Sequence, residues 1–254
     1  MDIKQNHSFM DMSNEKKVSE AIEYRRSIRV FKKENIDTDK VKECIRLASL
    51  APTSSNMQLW EFYHIVSPAI LSQISTVSFN QNAAKTANQM IVVVARKDLW
   101  KKRIQSNIQF LKNLYGNKPK SEYTKREKAS LHYYKKIVPT LYFDFIGILG
   151  ALKFLRYQII GLFKPTYRQS RRSDMRVVAQ KSAALAAQNF MISMASIGYD
   201  TCPMEGFDSL RVKKILGLGS GSEINMIIAC GIREENGVYG ERFRIPIEEI
   251  YFKI

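Results

Sequence analysis

What this 254-residue chain lacks narrows its chemistry first. Its three cysteines, Cys44, Cys202 and Cys230, have no metal-ligand spacing, and each lies in a run that reads as regular structure or its edge. Reduced, buried thiols in a cytoplasmic protein are therefore expected, with no metal site and no disulfide scaffold. No catalytic triad and no carboxylate pair stands out. The N-terminal stretch MDIKQNHSFMDMSNEKK lacks the apolar segment of a secretory signal, and residues 1–14 read as a loose arm. Zinc-finger spacing, an RNP-like aromatic motif and a basic leucine zipper are all missing, so no nucleic-acid partner is expected. The longest apolar run in the middle of the chain, Phe145–Leu152, is too short to span a bilayer.

What the chain has in excess is positive charge. Forty Lys and Arg stand against twenty-four Asp and Glu, a net charge of +16. Such a balance suits nucleic acid, an anionic membrane or an anionic cofactor. Many of the basic residues crowd into Lys97–Arg176, where no groove-reading element is evident. With 45% hydrophobic residues, residues 15–254 can bury the core of one domain carrying a long insertion at about 100–175.

Periodicity supplies the elements. Glu15 to Tyr24 reads as a helix with Val18, Ala21, Ile22 and Arg25 on one stripe, so its apolar face leads to a guanidinium. Asp37-Thr38 caps a second helix, through Leu50, with Val41, Cys44, Ile45 and Ala48 on one face, and Ala51-Pro52 ends it. Glu61–Val66, Gln89–Ala95 and Glu223–Cys230 read as strands, and Pro68–Val77 as a helical turn or two. Gln180–Ile197 is an Ala- and Met-rich helix. The mixture predicts an α+β fold. Gly217–Gly221 resembles a dinucleotide fingerprint only superficially, because its glycines follow a helix and precede a strand; it reads as a turn. Neither His64 nor His132 shows a partner in the sequence.

Two clusters carry chemistry. Arg25-Arg26-Ser27-Ile28-Arg29 sets three guanidiniums and a hydroxyl at a helix-to-strand junction, a composition able to grip phosphate or to form a solvated basic edge. Ala51-Pro52-Thr53-Ser54-Ser55-Asn56-Met57-Gln58-Leu59-Trp60 is a polar loop whose carboxamides present donors and acceptors together, suited to a uracil-like edge or to an ordinary turn.

Together these stretches resemble the nitroreductase family, in which an R-(R/H)-S-x-(R/K) start is followed by a P-S-S-x-N-x-Q-P-W loop. Three further matches follow in order: Phe79-Asn80-Gln81 before the QMIVVVA strand, Gly198–Asp208 (GYDTCPMEGFD), and Arg242-Phe243-Arg244-Ile245-Pro246. The resemblance implies a central, mostly antiparallel sheet flanked by helices in a domain-swapped-type homodimer. It implies FMN as cofactor and NAD(P)H as electron donor. Arg25, Ser27, Arg242 and Arg244 would hold the FMN phosphate, with Arg26 and Arg29 nearby. Pro52, Thr53, Ser54 and Asn56 would reach the flavin from the other subunit. Asn80 would serve the pyrimidine side, and the backbone at Glu205-Gly206, after Pro203 and Met204, would lie at N5. The chain departs from the pattern at Leu59, where the family keeps Pro, and at Ala83, where some members carry a flavin-contacting Lys.

The implied reaction moves electron pairs from NAD(P)H to an organic acceptor, a nitroaromatic, quinone or similar compound, by a ping-pong mechanism. Two alternatives stand beside it: another reaction on the same scaffold, such as dehalogenation, flavin cleavage or azoline oxidation, or a basic membrane-associated flavin binder without turnover. The insertion segment 139–165 reads either as a lid over the acceptor pocket or as an element at the inner membrane face, apolar side down. The lid is preferred, because exposed apolar surface is costly and a dimer offers a place to bury it.

Overall fold

The structure, a computed structural model, describes residues 15–143 and 148–254. The N-terminal arm and residues 145–147 of the Phe145–Leu152 run lie outside the described residues. Four strands, β1 (Trp60–Ile65), β2 (Gln89–Ala95), β3 (Asp200–Met204) and β4 (Glu223–Gly231), form one antiparallel sheet in the order β1-β2-β4-β3. Three were expected from the sequence. The fourth, β3, lies inside the GYDTCPMEGFD match, where its Thr-Cys-Pro core is too short to alternate visibly.

The helices are α1 (Val18–Tyr24), α2 (Thr38–Ala48), α3 (Pro68–Val77), α4 (Asn82–Thr86), α5 (Trp100–Tyr115), α6 (Lys125–His132), α7 (Val138–Tyr142), α8 (Ile148–Phe163), α9 (Arg172–Ser196) and α10 (Ser209–Ile215). The apolar run of β2 is buried throughout because both sheet faces are covered. Ile91, Val93 and Ala95 face one core with Cys44, Phe190 and Met194 from α2 and α9. Met90, Val92 and Val94 face the other with Ile74, Ala83 and Val212 from α3, α4 and α10. A strand so placed needs no polar face, which explains a sequence without alternation.

Local chemistry sets the helix ends. The Asp37 carboxylate accepts from the Asp39 and Lys40 amides at 2.8 and 3.2 Å and so starts α2. Asp208 does the same for α10 through Leu210 and Arg211. Helix α9 runs 25 residues, starting eight residues before its apolar pattern becomes regular, because the Asp174 carboxylate caps the Arg171 amide at 2.8 Å. On α1 only Ala21 is buried; Val18 and Ile22 are exposed, so two of the three apolar stripe residues have no cover among the described residues of one protomer. His64 does have a partner: its Nε2 lies 2.7 Å from Gln89 Oε1, and Gln89 in turn donates to the Ile36 carbonyl.

Burial sets two expectations. Phe190→Ala, in a fully buried position, lowers unfolding free energy by about 3–5 kcal/mol, whereas Leu210→Ala on exposed α10 changes it by less than about 0.5 kcal/mol, measured by urea denaturation. Burial also pushes the Cys44 thiol up to about 12. A raised thiol pKa stabilises the fold fully below the unfolded value and loses that contribution as pH climbs toward the folded one. Stability at fixed urea therefore holds to about pH 8.5 and declines from there toward pH 12.

Candidate functional site

The helix α1 ends at Arg25, and the chain then runs along the free edge of β3. Ser27 pairs with Thr201, the Ile28 amide donates to the Thr201 carbonyl at 3.1 Å, and the Arg29 amide donates to the Gly237 carbonyl at 2.7 Å. Phe31 pairs with Arg233 beyond β4. Gly237 permits this approach: a Cβ there would lie 2.6 Å from the Val30 carbonyl oxygen. The C-terminal segment after β4 is thereby laid against residues 25–31.

The result is a cavity of about 240 Å³ lined by Arg25, Arg26, Ser27, Arg29, Arg242 and Arg244, with Tyr239 among its other walls. All six phosphate-site residues suggested by the sequence meet here, although more than two hundred positions separate Arg25 from Arg242. Arg242 is fixed by donating to the Glu23 and Arg25 carbonyls, each at 2.7 Å, and Arg26 by donating to the Gly240 carbonyl at 2.6 Å. The guanidiniums crowd one another. Burial, then the like charges of Arg242, Arg244 and Arg26, hold Arg25 below its ordinary pKa. A cluster that disfavours its own charge is complementary to a multiply charged anion.

Asp200 and Arg233, neither of them singled out in the sequence, hold this joint together. The nearly fully buried Asp200 carboxylate takes the Arg233 amide at 2.8 Å and its guanidinium at 2.5 and 2.9 Å, and that guanidinium lies 4.1 Å from the Tyr24 ring centroid. The sequence offers only an acidic and a basic residue far apart in the chain, and strand pairing is what brings them together.

The second group sits beside the cavity. Phe79 and Asn80 take left-handed backbone angles, φ 58° and 52°, and turn the chain between α3 and α4. Gln81 then donates from Nε2 to the Gly206 carbonyl at 3.0 Å, and the Asp208 amide donates to the Val77 carbonyl at 2.8 Å. Asn82 reaches the Tyr239 hydroxyl at 2.8 Å, joining this turn to the cavity wall. Exposed Asn80 and the Glu205-Gly206 backbone at the end of β3 therefore neighbour the arginine cavity. Ala83 is buried and Lys85 exposed, so no lysine stands at position 83.

The third group does not join them. Pro52, Thr53, Ser54 and Asn56 precede β1, at the far edge of the sheet, about 14 Å of sheet width from β3. Ser55, Asn56 and Gln58 are left-handed, with φ between 46° and 52°. Non-glycine residues at such angles cost of order 1–3 kcal/mol each and persist only where surrounding contacts over-determine them. Here Asn56 donates to Asn107 Oδ1 and accepts at its carbonyl from Asn107 Nδ2, and the Tyr134 hydroxyl donates to the Ser55 carbonyl at 3.0 Å. Asn107 lies on α5 and Tyr134 on a π-helical turn, Tyr133–Ile137, so the insertion clamps the loop. Between them is a second cavity of about 300 Å³, lined by Ser54, Ser55, Tyr133, Tyr142, Tyr167 and aliphatic residues.

The arginine crowding carries a prediction. Inorganic phosphate raises the melting temperature of the cofactor-free protein in a saturable way, and Arg242→Ala, read by differential scanning fluorimetry, removes most of that rise.

The Nitroreductase family model matches residues 22–232. Protein DrgA of Synechocystis sp. is 28% identical over 228 residues, 89% of each chain. The oxygen-insensitive NADPH nitroreductase of Helicobacter acinonychis is 23% identical over 227 residues, 88% of this chain and 91% of its own. A solved structure from Exiguobacterium sibiricum, in complex with FMN, shares the fold with a TM-score of 0.66 at 21% identity, covering 94% of this chain and 98% of its own. The chain belongs to the nitroreductase family.

Proposed function

We propose that this protein moves electron pairs from NAD(P)H to a small organic acceptor, a nitroaromatic, quinone or similar compound, as a homodimer whose sites draw on both subunits. Its family makes it an FMN-dependent NAD(P)H oxidoreductase. The observation that carries the reading is the cavity lined by the guanidiniums of Arg25, Arg26, Arg29, Arg242 and Arg244, where the like charges of Arg242, Arg244 and Arg26 bear on Arg25, beside the Asn80 turn and the Glu205-Gly206 backbone. A phosphate monoester relieves that repulsion, so the donor set fits FMN.

In this reading Arg25, Ser27, Arg242 and Arg244 bind the phosphate, and Arg26 and Arg29 add to the field. Asn80 hydrogen-bonds the pyrimidine side of the ring. Pro203 and Met204 lead into the amides of Glu205 and Gly206, which serve N5. FMN, when bound, supplies the two-electron exchange. The protein's share is binding, orientation and water exclusion, and no side chain is required as nucleophile or base.

Pro52, Thr53, Ser54 and Asn56 complete the site from the second subunit. Two observations support this: the distance of that loop from the arginine cavity within one chain, and the exposed apolar residues of the C-terminal segment, Ile247, Ile250, Tyr251 and Phe252, which a partner would cover. The cavity under the insertion then becomes the acceptor pocket. Burial pushes Tyr142 up to about 12, so it stays a neutral phenol there at physiological pH. Donor and acceptor use the same flavin face in turn, which is the ping-pong scheme.

Two measurements test it. Reciprocal plots at several fixed acceptor concentrations run parallel; converging lines would refute the ping-pong scheme. Arg25→Ala and Asn56→Ala each lower kcat/KM by at least about tenfold, yet unfolding and refolding the two together restores roughly a quarter of wild-type activity, because the mixed dimer holds one intact site. No recovery in protein shown by mass to be mixed dimer would mean that each site is built within one chain.

A further inference from the structure

The insertion divides into two parts that behave differently. Residues up to 142 are anchored: Ile104, Ile108, Leu131, Val138 and Tyr142 join the core beneath α9. Helix α8 is not. Of its 16 residues only Gly150 is buried. Ile148, Leu152, Leu155, Ile159, Leu162 and Phe163 are all exposed, the last two at 77% and 85%. At 100° per residue these six occupy one arc of about 100°, so α8 turns a continuous apolar stripe to the outside.

Polar contacts hold the helix in that orientation. Lys153 Nζ donates to the Thr140 and Phe143 carbonyls at 2.9 and 2.6 Å. Arg168 donates to the Gly161 carbonyl at 2.6 Å, and the Arg171 guanidinium lies 3.5 Å from the Phe154 ring centroid. These groups meet the side of α8 away from the stripe. An open apolar cavity of about 330 Å³, bordered by Phe143, Leu149, Leu152, Lys153 and Arg156, continues the stripe.

Charge identifies what covers this face. From 145 to 173 the chain carries Lys153, Arg156, Lys164, Arg168, Arg171 and Arg172 and no acidic residue. The stripe has the 4-3-4-3 spacing of a helix-pairing seam, yet a second α8 would set two cationic helices together with no acidic residue to pair them. The rest of a second copy offers little better, since the whole chain carries +16. An anionic bilayer meets both demands: apolar side chains enter the headgroup boundary while exposed Arg156 and Lys164 remain at the phosphate level.

We propose that α8 is a membrane-surface anchor, docking the protein apolar stripe down on a bilayer rich in anionic phospholipid. Among the described residues no helix is long and apolar enough to cross a membrane, so the contact is peripheral. The site is independent of the flavin reading, since α8 contributes no residue to the arginine cavity.

Co-sedimentation of the full-length, FMN-loaded protein with phosphatidylcholine vesicles, with and without phosphatidylglycerol, tests the proposal. The protein should pellet with the phosphatidylglycerol vesicles at low salt and release at high salt. Leu155→Glu/Ile159→Glu, two exposed positions, should lower vesicle partition by at least about tenfold while bound flavin absorbance is retained. If that variant fails to fold, Arg156→Glu/Lys164→Glu should lower it comparably. Absence of wild-type pelleting overturns the anchor. Undiminished pelleting by both variants does too, since charge elsewhere would then suffice. So does a variant that only changes oligomeric mass, which would make a second copy the true cover.

Discussion

The ion pair between Asp200 and Arg233 is the joint on which the candidate site depends. Asp200 opens β3 and Arg233 follows β4, so their contact closes the last ladder of the sheet at the end where the chain leaves α1. With that end fixed, residues 27–31 can pair with Thr201 on one side and Arg233 on the other, and the C-terminal segment can fold over them. Burial alone would lower the Arg233 pKa, yet the Asp200 carboxylate holds it above its ordinary value, so the attraction wins. Breaking such a buried pair by removing one partner typically costs 3–5 kcal/mol.

Opposite electrostatics therefore sit side by side. Arg233 is neutralised and structural; Arg25, only a few residues from it in space through Tyr24, is crowded by like charges and poised for a ligand. The same residue type acquires two roles from its neighbours alone. The loop before β1 stores its strain differently, in the left-handed backbone at Ser55, Asn56 and Gln58, and α5 and the π-helical turn supply the hydrogen bonds that sustain it. The loop and the arginine cavity occupy opposite edges of one sheet, which is why the proposed site takes the loop from a second subunit.

The insertion extends this division outward. Its first half is seated by buried apolar side chains and clamps the loop through the hydrogen bonds of Asn107 and Tyr134. Its second half, α8, keeps an apolar stripe exposed and flanks it with cations. The lid and membrane readings of residues 139–165 need not compete, since the boundary between them falls near residue 143, where packing against the core stops.

Much of the fold was legible in the residues themselves. β2 and β4 announce themselves by apolar runs, α2 by its Asp37 cap and its Val41–Cys44–Ala48 face, and the turn at Gly217 by the order of its flanking elements. These are local properties, set by side-chain periodicity and hydrogen bonding over a few positions. The arginine motifs at 25–29 and 242–244 were also visible, but as separate basic stretches with a resemblance to connect them. Tertiary structure alone decided that they share a cavity, since that depends on the Ser27–Thr201 and Phe31–Arg233 pairings. It alone revealed β3, the Asp200–Arg233 joint, the partner of His64, the clamp of Asn107 on Asn56 and the outward face of α8. Each of those rests on contacts between residues far apart in the chain, and the free energy of such a contact belongs to neither residue until the backbone has brought them together.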